Sequence, residues 1–238
     1  MNFSILEKRA AIIRAVRNFF LMNGFLEVET PLRIPAPVPE ANIDLFESEK
    51  WYLQSSPEIC MKRLAAHGFG KIFQICKCFR KDERSDRHLT ELTMLEWYTK
   101  GDTYLNLMDQ CRKLIQYIAS EIYHGEKKEK ENKRKKGAGR ESEVTSESSI
   151  CYNGKIIDLS GPWHKITVEQ AFSQYASVSM ENALCHDKFD STMGFEIEPN
   201  LGMQTPSFIF DYPYSLAALA KLKYDNRKIA ERKNCRAV

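Results

Sequence analysis

The sequence predicts an α+β protein in which antiparallel strands are backed by helices. Three observations predict this. Apolar residues recur at helical spacing over "SILEKRAAIIRAVRNFFLMNG" and again from Tyr104 to Ile122. Two alternating runs, "KIFQICKCFR" and "TELTMLEWY", flank a short charged segment, as in a hairpin. Helical and strand-like runs then follow one another along one chain of 238 residues, long enough for one domain or a domain with an appendage.

In chain order, Ser4 and Glu7 have capping-box spacing, Leu6, Ala10, Ile13, Val16 and Phe20 form the buried stripe of the first helix, and Gly24 ends it. "FLEVETP" alternates like a strand, and Pro31 stops it because proline has no amide hydrogen to donate. An extended loop with Pro35, Pro37 and Pro39 follows. "SSPEICMKRLAAHG" is a short helix with Ser56 as N-cap, Pro57 in the first turn and Gly68 past the end. After the hairpin, Tyr104, Met108, Cys111, Ile115, Ile118 and Ile122 stripe a long helix. Residues 125–149 are rich in Lys, Glu and Ser, and bury too little to offset ordering entropy, which predicts a disordered or solvated insertion. "KIIDLSG", a helix opened by Thr167 with Gln170 three residues on, and the strand "PSFIFDYP" complete the pattern.

Bulk charge excludes a nucleic-acid-binding face. The chain is +3, but "EKKEKENKRKK" (Glu126–Lys136) alone carries seven basic and three acidic residues, leaving the remainder near −1. The seven cysteines are odd in number, and Cys76 and Cys78 alternate along a strand, unlike a CxxC redox pair or half a zinc site. Reduced thiols in a cytoplasmic protein are the plain expectation. No apolar run reaches membrane-spanning length, and the N-terminus lacks a signal peptide's apolar core.

The hairpin carries the chemistry. Its loop packs Arg80, Asp82, Glu83, Arg84, Asp86, Arg87 and His88 between two strands. Alternation puts Phe73, Ile75 and Phe79 on one face, and Gln74, Cys76, Cys78 and Arg80 on the other. On the return strand Met94, Glu96 and Tyr98 share a face, and whether it is the face of Arg80 depends on a register that spacing leaves open. A guanidinium mounted on a strand suits bidentate recognition of phosphate or carboxylate. The alternative is a surface hairpin whose charges only solvate it.

"FLEVETP", "SSPEICMKRL", "KIFQICKCFRKDER" and "ELTMLEWY" resemble the class II aminoacyl-tRNA synthetases of the lysyl branch. The closer resemblance is to their stand-alone paralogues, the elongation factor P–lysine ligases, and runs from about Leu6 to Arg232. Ser56–Glu58 and "LEWY" look like the paralogue versions of these motifs, and the chain starts at the first catalytic-domain helix with no anticodon-binding barrel in front.

The resemblance implies a class II synthetase-like antiparallel sheet flanked by helices, in a dimer whose interface includes Pro31. It implies that ATP with Mg²⁺ and lysine or (R)-β-lysine give an aminoacyl-adenylate, whose aminoacyl group passes to a lysine of elongation factor P. Arg80 is then the catalytic guanidinium on the α-phosphate and carboxylate, and Asp82 and Glu83 contact ATP near the magnesium and adenine. His88 is a candidate for the ATP phosphates, with plain solvation as its alternative. Ser56, Glu58 and Tyr98 match substrate-contacting positions, and Glu96 is either substrate-facing or structural. Ser56 and Glu58 as a helix cap, and Tyr98 as an ordinary strand residue, are the alternatives. No protein metal cage is expected, since Mg²⁺ bridges phosphates with few protein ligands.

Some positions depart from the family pattern. Asp82 replaces a more usual glutamate, Leu89 stands where many relatives have an ATP-contacting asparagine, and Thr90 where a proline is common. After Arg232 the chain ends in "KNCRAV", read as a tail outside the family, where family members continue into the glycine-rich third motif. The fold is thus expected to be incomplete at the C-terminus, with little or no adenylation by the chain alone. A lysyl-tRNA synthetase fragment charging tRNA, and a non-catalytic remnant that only binds a partner, are the competing readings.

Overall fold

The computed structural model describes residues 3–36, 43–85, 88–134, 146–152 and 154–236. Pro37, Pro39, Asp86, Arg87 and residues 135–145 of the predicted insertion lie outside the described residues. The chain divides into two compact units, residues 17–102 and residues 1–16 with 103–238. Helix α1 (Phe3–Met22) crosses from one to the other. It begins ahead of Ser4, so the capping box that spacing suggests lies inside the helix. Val16 and Phe20 of the predicted stripe are buried, whereas Leu6 and Ala10 are exposed.

In the unit of residues 17–102, an aromatic core fixes the end of α1. Phe20 stacks on Phe73 at 4.8 Å, meets Phe25 edge-on at 5.0 Å and lies 5.3 Å from Trp97. Each such aromatic pair is worth about 0.5–1.5 kcal/mol beyond the area it buries. "FLEVETP" contributes only a short strand, β1 (Leu26–Glu27), before Pro31, which is exposed. β2 (Arg33–Ile34), β3 (Glu47–Ser48) and β4 (Trp51–Leu53) form a small antiparallel sheet in the order β2-β4-β3. Helix α2 (Glu58–Ala66) follows, its boundary residue Pro57 rather than Ser56, and Gly68 takes φ +109° just beyond its end.

The predicted hairpin is β5 (Lys71–Phe79) and β6 (Glu91–Thr99), paired antiparallel from Lys71↔Thr99 to Phe79↔Glu91. β1 adds to it in parallel, so the three-stranded sheet is β1-β5-β6. The register supplies what alternation left open. Gln74 pairs with Glu96, Ile72 with Tyr98 and Cys76 with Met94, and directly opposite residues project from the same face. Arg80 N–H to Thr90 O (2.9 Å) carries the ladder one residue further, so Arg80 belongs to the face of Glu96 and Tyr98.

The other unit opens with α3 (Tyr104–Arg134). The helix runs well into the segment set aside as a solvated insertion, because Lys and Glu are good helix formers whatever they fail to bury. β7 (Ser149–Tyr152) and β8 (Lys155–Asp158) make a hairpin. β9 (His164–Thr167) leads into α4 (Val168–Tyr175) through the predicted capping box: Gln170 N–H donates to Thr167 Oγ1 at 3.1 Å and Thr167 N–H to Gln170 Oε1 at 3.0 Å. α5 (Met180–Cys185) and α6 (Phe189–Thr192) lead on to β10 (Ser207–Pro213), which pairs in parallel with β9 and antiparallel with β11 (Ile229–Arg236).

Lys233–Arg236, part of the tail read as lying outside the family, pairs in register with β10 down to Ser207↔Arg236. Two apolar clusters fill the unit, one around Val168, Phe172, Ile197 and Ile209, the other around Met108, Leu159, Trp163 and Phe208. Tyr104, Cys111 and Ile115 of the predicted α3 stripe pack on the second. All seven cysteines are free, and among the described residues no helix is long and apolar enough to cross a membrane.

Candidate active site

Glu96, in the middle of β6, is the centre of a polar network on one face of the hairpin. Tyr98 Oη donates to Glu96 Oε1 at 2.6 Å, and Ser56 Oγ donates to Glu96 Oε2 at 2.9 Å. Ser56 also accepts the N–H of Glu58 at 3.1 Å, so it serves the start of α2 and the carboxylate together. Pro57, not Ser56, is the N-cap of α2, and the Ser56 hydroxyl instead links the Glu58 N–H to Glu96. Glu58 reaches the network through charge and forms an ion pair with Lys62 at 2.5 Å, four residues on.

Burial pushes the Glu96 carboxyl above its ordinary 4.5, against the hydrogen bonds from Tyr98 and Ser56, which pull it down. Burial, with the neighbouring Glu96 charge second, pushes the Tyr98 phenol far up, so this hydroxyl is a fixed donor. The result is a desolvated carboxylate with two donors already attached and lone pairs to spare. Such a group is costly unless a cation completes it.

Arg80 stands on the same face at the end of β5. Its NH1 reaches Glu83 Oε2 only at 3.5 Å, while its Nε is buried without a hydrogen-bond partner. Asp82 is exposed in the left-handed region, φ 61°, at the turn after Arg80. His88 is exposed and bonded to Ser85 Oγ at 2.8 Å through Nδ1, a contact internal to the hairpin loop. The structure therefore brings Ser56, Glu58, Glu96 and Tyr98 together, and Arg80 with Glu83, whereas His88 is occupied within its own loop.

Three residues escaped the sequence reading. Gln54 and Gln74 are essentially inaccessible, and Gln54 Oε1, both amide atoms of Gln74 and Ser55 Oγ lack partners of normal geometry. Gln74 was legible as a member of the polar face, but only the register puts it opposite Glu96. Gln54 is fastened to β5, donating to Lys77 O at 3.0 Å and accepting Phe79 N–H at 2.9 Å. Buried polar atoms without partners are uncommon in folded proteins, and these, like the buried Arg80 Nε, mark a polar site, not a packing core.

Among the described residues no group of three or more His, Cys, Asp or Glu side chains is placed to hold a metal ion. Asp82 and Glu83 offer at most one or two carboxylates, a donor set that fits a magnesium ion carried mainly by phosphates.

The family of class II tRNA synthetases (D, K and N) matches residues 2–237. An elongation factor P–(R)-β-lysine ligase of Vibrio campbellii is 30% identical over 237 residues, covering 95% of this chain and 68% of that one. The ligase of that name from Pectobacterium atrosepticum is 31% identical over 242 residues, covering 94% and 67%. A lysine–tRNA ligase of Magnetococcus marinus is 29% identical over 252 residues, covering 96% of this chain but 46% of its own length. Among solved structures, asparaginyl-tRNA synthetase from Pyrococcus horikoshii complexed with asparaginyl-adenylate superposes with a TM-score of 0.71 at 19% identity, over 98% of this chain and 50% of that one. With the fold shared and nearly the whole length matched, the chain belongs to the class II tRNA synthetase family of the D, K and N branch.

Proposed function

We propose that the hairpin face is an amino-acid and ATP site of an adenylate-forming ligase, taking lysine or (R)-β-lysine and passing it to a lysine of elongation factor P. The observation that carries this reading is Glu96, a half-buried carboxylate held by Ser56 and Tyr98 on the face that also presents Arg80. A substrate ammonium is the cation such a carboxylate lacks. Glu58, next to the same hydroxyl, holds the Lys62 ammonium, a cation that the second ammonium of a diamino acid would displace.

Adenylation needs no nucleophilic side chain. The substrate carboxylate attacks the α-phosphorus of ATP in line and pyrophosphate leaves, so the chain's task is to position the partners and stabilise charge. Arg80, with its buried Nε unspent, is placed to meet the negative charge that grows there. Asp82 and Glu83 would hold the magnesium that accompanies the phosphates, and that ion neutralises their charge. The active form is a dimer with Pro31 at its interface, and its compartment is the cytoplasm.

Two measurements separate pocket from turnover. Calorimetric titration with lysine, (R)-β-lysine and norleucine tests the pocket: both diamino acids bind and norleucine does not. Lysine-dependent ATP–pyrophosphate exchange, followed by transfer to elongation factor P or to tRNA, tests the reaction. Transfer to tRNA alone would replace this reading with tRNA charging, and equal binding of norleucine would end it.

A further inference from the structure

We infer that Cys76, Cys78 and Met94 form a soft-metal site whose natural occupant is a monovalent copper ion. Cys76 Sγ and Cys78 Sγ lie 3.8 Å apart, and Cys78 Sγ lies 3.9 Å from Met94 Sδ. Met94 is the cross-strand partner of Cys76, so three sulfurs converge on one face of β5 and β6.

The distances decide between two uses of such a pair. Same-face neighbours on a strand have Cα atoms about 6.6–6.8 Å apart, at the far end of the roughly 4.4–6.8 Å that a disulfide accepts. Regular pairing along all of β5 resists the bend that a bond between them needs. A shared metal needs no bend. Metal–sulfur bonds of about 2.3 Å put two bound sulfurs about 3.8 Å apart in a tetrahedral arrangement and about 4.0 Å in a trigonal one. The sulfurs already stand at that separation.

The ligand set then chooses the metal. Two thiolates with a thioether are soft donors that favour Cu(I). Zinc ordinarily takes four ligands, and no His, Asp or Glu among the described residues joins these cysteines in a metal-holding group. Binding is an exchange without redox change: Cu⁺ displaces two thiol protons and gains the Met94 thioether, leaving a complex of charge −1. Gln54 Nε2, 3.5 Å from Cys76 Sγ, donates to that sulfur and steadies its negative charge. Cys78 is fully buried, but Cys76 and Met94 are half-buried and give the ion a way in.

The test is anaerobic titration of the full, reduced chain with Cu(I) in competition with a chromogenic Cu(I) chelator. The wild type and a Cys111→Ser/Cys235→Ser variant, which removes the other pair of neighbouring thiols, each withdraw one equivalent. Cys76→Ser and the volume-conserving Met94→Leu each bind at least tenfold more weakly, and X-ray absorption of the loaded wild type shows sulfur ligands only. Equal competition by wild type, Cys76→Ser and Met94→Leu would overturn the assignment. So would nitrogen or oxygen ligands in the absorption spectrum, or displacement of the copper by stoichiometric zinc.

Discussion

At the scale of single residues the account turns on Glu96. In Glu96→Gln a substrate ammonium loses the half-buried carboxylate that would pair with it, a loss of about 2 kcal/mol, the low end for truncating one partner of a charge pair. Lysine affinity should fall by at least about 30-fold while the fold persists, read by calorimetry beside circular dichroism. Tyr98→Phe removes one of the two donors that lower the Glu96 pKa. The acid limb of lysine binding should therefore move to higher pH in that variant, since the cation needs the ionised form. In the wild type that limb already lies above the ordinary carboxylate value of 4.5. Arg80→Ala should leave lysine binding largely intact and, in a version of the chain extended through the third motif, lower ATP–pyrophosphate exchange about 10²–10³-fold, the loss typical of one electrostatic donor in an active site.

Residue types were legible in the sequence and their partnerships were not. Arg80, Glu96 and Tyr98 announce themselves by charge and alternation. That Ser56, forty positions earlier, donates to Glu96 is a tertiary fact. That Gln54 Oε1, Ser55 Oγ and the Gln74 amide are buried without hydrogen-bond partners is likewise visible only once both strands and the segment after β4 are in place.

At the scale of elements, hairpin pairing does most to build the site. A shift of one residue between β5 and β6 would turn Glu96 and Tyr98 away from Arg80, because strand side chains alternate. Nothing local in "KIFQICKCFR" or "TELTMLEWY" sets that register, so periodicity gave both strands and their faces but not the pairing. Where the signal is local, the sequence sufficed. Thr167 and Gln170 form the capping box that their spacing predicts. Thr167→Ala should lower stability by about 1 kcal/mol, measured by urea denaturation. α3 continues to Arg134, into the segment that composition marks as a disordered or solvated insertion, since helix propensity and burial are separate quantities.

At the scale of the whole molecule the chain forms two compact units, and one polar cluster stands out in the larger. Asp211 sits at a bulge in β10 with φ 62°, accepts Tyr104 Oη at 2.8 Å and pairs with Lys223 at 2.5 Å. Asp211 is nearly inaccessible while Lys223 still touches water. Asp211→Ala should therefore cost about 3 kcal/mol, the low end for breaking a buried pair, seen as a lower urea midpoint.

The pH dependence of stability has a definite sign at Glu96. Its folded pKa is raised, so between 4.5 and the raised value the native state keeps a proton that the unfolded chain has lost. Stability from this group falls as pH rises through that window, and Glu96→Gln removes that part of the slope.

The most direct measurement is a calorimetric titration of lysine into the wild-type chain and into Glu96→Gln at neutral pH. The account predicts saturable binding by the first and at least about 30-fold weaker binding by the second. Equal affinity in the two, or no binding by the wild type, would contradict it.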